Sequence, residues 1–158
     1  RGGEEMQTVV SAGSACESIA GITTALAVAN SVNIRLTHRD YAQSVKFVTG
    51  FLKTDTPNDQ YAELLADNQT VIFYLGLNTL PSLTQGLLQA GKSADTPFAI
   101  ISNVSRENEQ VLIGTLDTIQ TLQNIAKLPS PAVMIMGEVV SLYNELNASR
   151  QYYQQLVV

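Results

Sequence analysis

A single cysteine, a single histidine and no long apolar run set the first limits on this 158-residue chain. Cys16 has no partner for an internal disulfide, and with His38 as the only imidazole a Cys- or His-based zinc site lacks ligands. No stretch approaches the roughly 18 apolar residues of a membrane span, and the start shows no basic-then-apolar signal plan, so no membrane role and a cytoplasmic location are expected. Cys16 is then read as a small buried hydrophobe, and the Asn-x-Ser/Thr triplets at Asn68, Asn103 and Asn147 as chance matches. Catalytic signatures are also missing. No Gly-x-Ser-x-Gly elbow accompanies His38, and the chain is read as having neither a Walker A loop nor a Gly-x-Gly-x-x-Gly fingerprint, so neither phosphate nor hydride transfer is expected and no catalytic residue is assigned. Any chemistry would come from a bound cofactor and from positioning.

Positive charge is scarce but clustered. Nine Lys and Arg face fourteen Asp and Glu, a net charge of −5 that argues against nucleic acid as a partner. Yet Arg35, Arg39, Lys46 and Lys53 fall close together around His38, with Asp40 the one acid among them. A fold that brings this run back on itself makes a positive surface suited to a small polyanion, the alternative being a solvated loop.

With 45% hydrophobic residues the chain is long enough to bury a core, hiding about 70% of its unfolded surface. The pattern predicts a short helix over Glu4 to Ala12, a brief strand ending near Ile19, a Gly21 turn and a helix from about Ile22 to Ala29. "VKFVTGFL", "TVIFYLG", "TPFAIIS", "QVLIGTL" and "SPAVMIMG" read as further strands, several of them buried on both faces. Helices are expected over "TPNDQYAELLAD", Leu80 to Ala90, Leu116 to Ala126 with Ile119, Leu122 and Ile125 in helical spacing, and the C-terminal stretch. Six strands alternating with five or six helices predict a layered α/β domain with a mixed, mostly buried sheet and helices on both faces. The short gap between the strands around Ala99 and Leu112 predicts an antiparallel pair.

"LTHRDYAQSVKFVTG" with Lys53, preceded by "AGITTALA" and followed by "VIFYLG", "ADTPFAIIS", "LIGTL" and "SPAVMIMGEVV", resembles the C-terminal part of the uroporphyrinogen-III C-methyltransferases, of the tetrapyrrole methylase family. The resemblance implies that residues 1–20 are the tail of an N-terminal domain and a linker, and 21–158 the C-terminal domain of that fold. It implies S-adenosylmethionine as cofactor with S-adenosylhomocysteine as product, uroporphyrinogen III as substrate, precorrin-2 as product for sirohaem and cobalamin, and a homodimer. By the same resemblance Thr23, Thr24, Leu75, Val104, Pro131 and Ala132 would hold the cofactor, and Thr37, His38 and Arg39 the substrate's carboxylates. Tyr152, Tyr153 and Leu156 are read as interface or core. Ala20, Asn33, Arg35, Phe51 and Val104 depart from the family's proline, glycine, proline, histidine and glycine, and Val104 is expected to crowd the cofactor. A related precorrin methylase and a non-catalytic dimerisation module are the alternatives.

Overall fold

The computed structural model describes residues 2–49, 61–74 and 76–148. Leu75, Lys53, Phe51, Tyr152, Tyr153, Leu156 and the first five residues of the helix predicted over "TPNDQYAELLAD" lie outside them, and of the rest only Tyr61 and Ala62 are helical. Strands β1 (Ser44–Thr49), β2 (Gln69–Tyr74), β3 (Pro97–Ser102), β4 (Gln110–Thr115) and β5 (Ala132–Met136) form one sheet in the order β1-β2-β5-β3-β4. β1 runs parallel to β2, while β5 is antiparallel to both β2 and β3. β3 and β4 pair antiparallel, Ile100 opposite Leu112, as the short gap between them predicts.

The sheet alternates cleanly between two cores. Ile72, Ala99, Ile101, Val133 and Ile135 face one side, where they meet Ala25, Val28 and Ala29 of helix α2 (Thr24–Ser31) and Val139 and Val140 of the 3₁₀ segment Glu138–Leu142. Val71, Phe73, Phe98, Ile100, Met134 and Met136 face the other. Against them pack Leu80, Leu83 and Leu87 of α3 (Leu80–Gln89) and Ile119 of α4 (Ile119–Ala126). Helices therefore cover both faces, as expected. The start of α3 carries Pro81, which costs no helical hydrogen bond there, and Gly91 at φ 98° stops it.

Several expectations are corrected. Residues 14–23 form no regular element, so the strand ending near Ile19 is absent and the described residues hold five strands. Ile19 is 88% exposed and Cys16 is an exposed thiol: nothing described packs over this segment. β1 and β4 are edge strands, and "QVLIGTL" is only partly buried, with Val111 and Ile113 against one core and Leu112 against the other. In α4, Ile125 is 75% exposed although Ile119 is buried, because two steps of three residues swing a side chain about 120° round a helix of 3.6 residues per turn. Helix α1 (Gly3–Ser11) forms where expected, with none of its side chains buried. Among the described residues no helix is long and apolar enough to cross a membrane.

Candidate functional site

The C-terminal ends of β2 and β3 and the N-terminal end of β5 meet at one sheet edge, since Tyr74 opposes Val133 and Ser102 opposes Ala132. The segment entering β5 is tied to the end of β3. Ser102 Oγ donates to Pro129 O at 2.5 Å, and the Asn103 N–H to Pro131 O at 2.9 Å. These bonds hold Pro131 and Ala132 beside Val104. A hollow of about 330 Å³ opens there, lined by Thr24, Tyr74, Val104, Arg106, Pro131, Ala132 and Val133.

Helix α2 starts at this hollow. Its cap residue Thr23 is in extended conformation but makes no side-chain cap bond. Tyr74 does the capping instead: its hydroxyl accepts the Ala25 N–H at 3.2 Å and lies 2.5 Å from Thr23 Oγ1. One orphan amide of the helix start is thereby satisfied from across the sheet, the Leu26 N–H donates to Thr23 O at 3.0 Å, and Thr24 brings the positive end of the helix to the cavity. Four of the six cofactor candidates, Thr24, Val104, Pro131 and Ala132, line the hollow, and Thr23 reaches it through Tyr74. Val104, expected to crowd the site, leans on the core cluster that includes Tyr74, and the hollow stays open beside it.

Thr37, His38 and Arg39 are not among the described lining residues. They occupy a tight turn before β1, on the α2 face of the sheet, where Leu36 and Ala42 join the core. The His38 N–H donates to Ala42 O at 2.8 Å and the Ala42 N–H to His38 O at 3.0 Å. His38 Nδ1 accepts the Asp40 N–H at 3.2 Å, and the His38 ring packs on Tyr41 at 4.8 Å. Asp40 thus sides with His38, and Arg39, exposed, has no ion pair among the described residues. Lys46, by contrast, bonds Glu63 and holds that carboxyl below its usual range.

A larger hollow of about 450 Å³ lies between α3 and α4, rich in the amides of Asn78, Gln120, Gln123 and Asn124, and holds none of the candidate residues. One expectation about motifs is corrected by the sequence itself: Gly86 to Ser93, "GLLQAGKS", does have the spacing of a Walker A loop, but Gly86 lies inside α3 and the string ends past that helix's C-terminus. Its Lys92 is buried, with Nζ donating to Leu65 O, Ala66 O and Asp67 Oδ1 at 2.9, 3.3 and 3.0 Å. A phosphate needs a helix N-terminus and a free lysine, and here there is neither. Tyr74 and Arg106 were missed in the sequence; Tyr74 adjoins Leu75 in "VIFYLG", and Arg106 sits in the polar loop "NVSREN".

The chain is 53% identical to a siroheme synthase of Psychrobacter cryohalolentis over 92% of its length and 28% of that protein, and 45% identical to one of Thiobacillus denitrificans over 92% and 30%. It therefore spans under a third of these curated relatives. Among solved structures, uroporphyrin-III C-methyltransferase of Thermus thermophilus superimposes with a TM-score of 0.74 at 33% identity, covering 92% of this chain and 61% of that one. The form complexed with S-adenosyl homocysteine gives a TM-score of 0.74 at 26% identity over 90% and 62%. Residues 1–120 match the family model of the Tetrapyrrole (Corrin/Porphyrin) Methylases. With that match and these relatives, the chain belongs to the tetrapyrrole methylase family.

Proposed function

We propose that this chain supplies the C-terminal part of a methyltransferase that uses S-adenosylmethionine to methylate uroporphyrinogen III to precorrin-2, on the route to sirohaem and cobalamin. The observation that carries the reading is the gathering of Thr24, Val104, Pro131 and Ala132 around one hollow at the strand ends. A crevice outside the carboxyl ends of strands is where α/β sheets take their ligands. The residues suit a nucleoside thioether: Val104, Pro131, Ala132 and Val133 offer apolar surface, and Thr24 and Tyr74 offer hydroxyls. The volume lies at the small end of the roughly 300–1,000 Å³ of ligand pockets.

In this reading Thr23 and Thr24 hold the cofactor at the start of α2, and Pro131 and Ala132 flank its adenine. Leu75, which follows Tyr74 in sequence, would lie against it. S-adenosylmethionine, when bound, supplies an electrophilic methyl group on a sulfonium. The chain's own part is to fix distance and direction and to keep water out, which is how such a displacement is accelerated. The Thr37–Arg39 turn would take carboxylates of the macrocycle. Arg39 offers a two-pronged donor, and His38, with Nδ1 engaged by the Asp40 amide, keeps its neutral-form proton on Nε2. Residues 21–158 would form one folding unit with residues 1–20 as a connecting segment; the first buried side chain described is Ala25.

The test is calorimetric titration with S-adenosylhomocysteine, followed by turnover of uroporphyrinogen III against precorrin-2. Binding with uroporphyrinogen III preferred is expected. Preference for precorrin-2 would move the assignment to a later methylase, and no binding by folded protein would end it.

A further inference from the structure

Arg106 is the one charged side chain lining the hollow, and sequence patterns give it no role. Its loop is unusually fixed. Asn103 and Ser105, on either side of Val104, hold left-handed backbone at φ 53° and 61°, a conformation that costs non-glycine residues energy and persists where the surroundings enforce it. The enforcement is visible. The Arg106 N–H donates to Asn103 O at 3.0 Å and the Glu109 N–H to Arg106 O at 3.0 Å. The Glu109 carboxylate accepts the Ser105 N–H at 2.8 Å and is also bonded by Ser31 Oγ, anchoring the loop to the last turn of α2.

Glu109, the acid that anchors this loop, is held by a hydroxyl and an amide and forms no ion pair with Arg106 among the described residues. Among the described residues the guanidinium has no ion pair, so a positive group stands at the rim of an otherwise neutral pocket in a protein of net charge −5. Glu107, next to it, is exposed and also has no ion pair among them. A planar fork of donors in that setting is matched by a carboxylate, bound through two parallel charge-assisted hydrogen bonds.

We propose that Arg106 is a specificity-determining residue that binds a carboxylate of a ligand seated in the hollow. The inference rests on the methyltransferase reading, which offers two sources of that chemistry: the amino-acid end of the cofactor and an acidic side chain of the tetrapyrrole.

Titration of the intact protein with S-adenosylhomocysteine and with 5′-methylthioadenosine, which keeps base, ribose and sulfur but lacks the carboxylate, separates these sources. If the cofactor supplies it, Arg106→Gln weakens S-adenosylhomocysteine about tenfold at low salt and leaves methylthioadenosine unchanged, with Arg106→Lys recovering part of the loss. If the substrate supplies it, both nucleosides bind as before and KM for the acidic tetrapyrrole rises about tenfold at constant kcat. Equal loss of both nucleosides, or no change in either nucleoside or KM, overturns the proposal while leaving the methyltransferase reading intact. Wild-type protein that binds neither nucleoside overturns both.

Discussion

Tyr74 joins structure to site at the scale of one residue. Its ring lines the hollow and its hydroxyl caps α2 from across 49 to 51 positions of sequence. Tyr74→Phe keeps the ring and removes both bonds, leaving the Ala25 amide to water. Stability should fall by about 1 kcal/mol in urea melts, and S-adenosylhomocysteine affinity severalfold. An unchanged affinity would show that Thr23 and Thr24 hold their place without the staple. Sequence could place Thr23 and Thr24 because they sit at a visible helix start, whereas the tyrosine's role depends on a fold-level contact that no local pattern carries. Asn33 was legible only as a departure from a glycine. Its φ of 55° supplies the reason, since asparagine is among the few side chains that tolerate left-handed backbone, and its amide also donates to Asn147 Oδ1 at 3.2 Å.

Among elements, α3 is anchored past its end by Lys92. Three acceptors surround its ammonium, two of them main-chain carbonyls, so the buried cation is fully engaged. Lys92→Met fills similar space but strips Leu65 O and Ala66 O of a donor. The expected cost is about 2 kcal/mol in chemical denaturation with no change in nucleoside binding. A loss of binding at unchanged stability would instead give Lys92 a ligand-binding role. Strands were legible as apolar runs because β2, β3 and β5 are covered on both faces. The strand near Ile19 was not foreseen as coil, since "CESIA" has strand-like residues but no described partner to pair with. Periodicity alone likewise overcounted the buried face of α4, where Ile125 drifts to solvent.

At the scale of the molecule, apolar surface is left over. Helix α1 buries none of its residues, with Met6, Val9 and Val10 at 39, 38 and 58% exposure, and Phe47 stands half exposed on the edge strand β1. Met6, Val9 and Val10 stand at i, i+3 and i+4 and so share one face of α1, an exposed apolar stripe that suits an association face. Sedimentation equilibrium should therefore return twice the protomer mass at micromolar concentration; a single-protomer mass throughout the dilution series would count against the homodimer. The layered fold was readable from alternating apolar runs, but strand order was not, since nothing in a strand's own residues says which partner it takes.

That order governs how the protein can be made. Among the described residues the pairs β1-β2 and β3-β4 are joined in the sheet only through β5, the last of the five strands in chain order. During synthesis both pairs leave the ribosome with one long edge open, and neither can close until residues 132–136 emerge. The hollow, walled by residues from both sides of that late strand, comes into being in the same moment as the sheet.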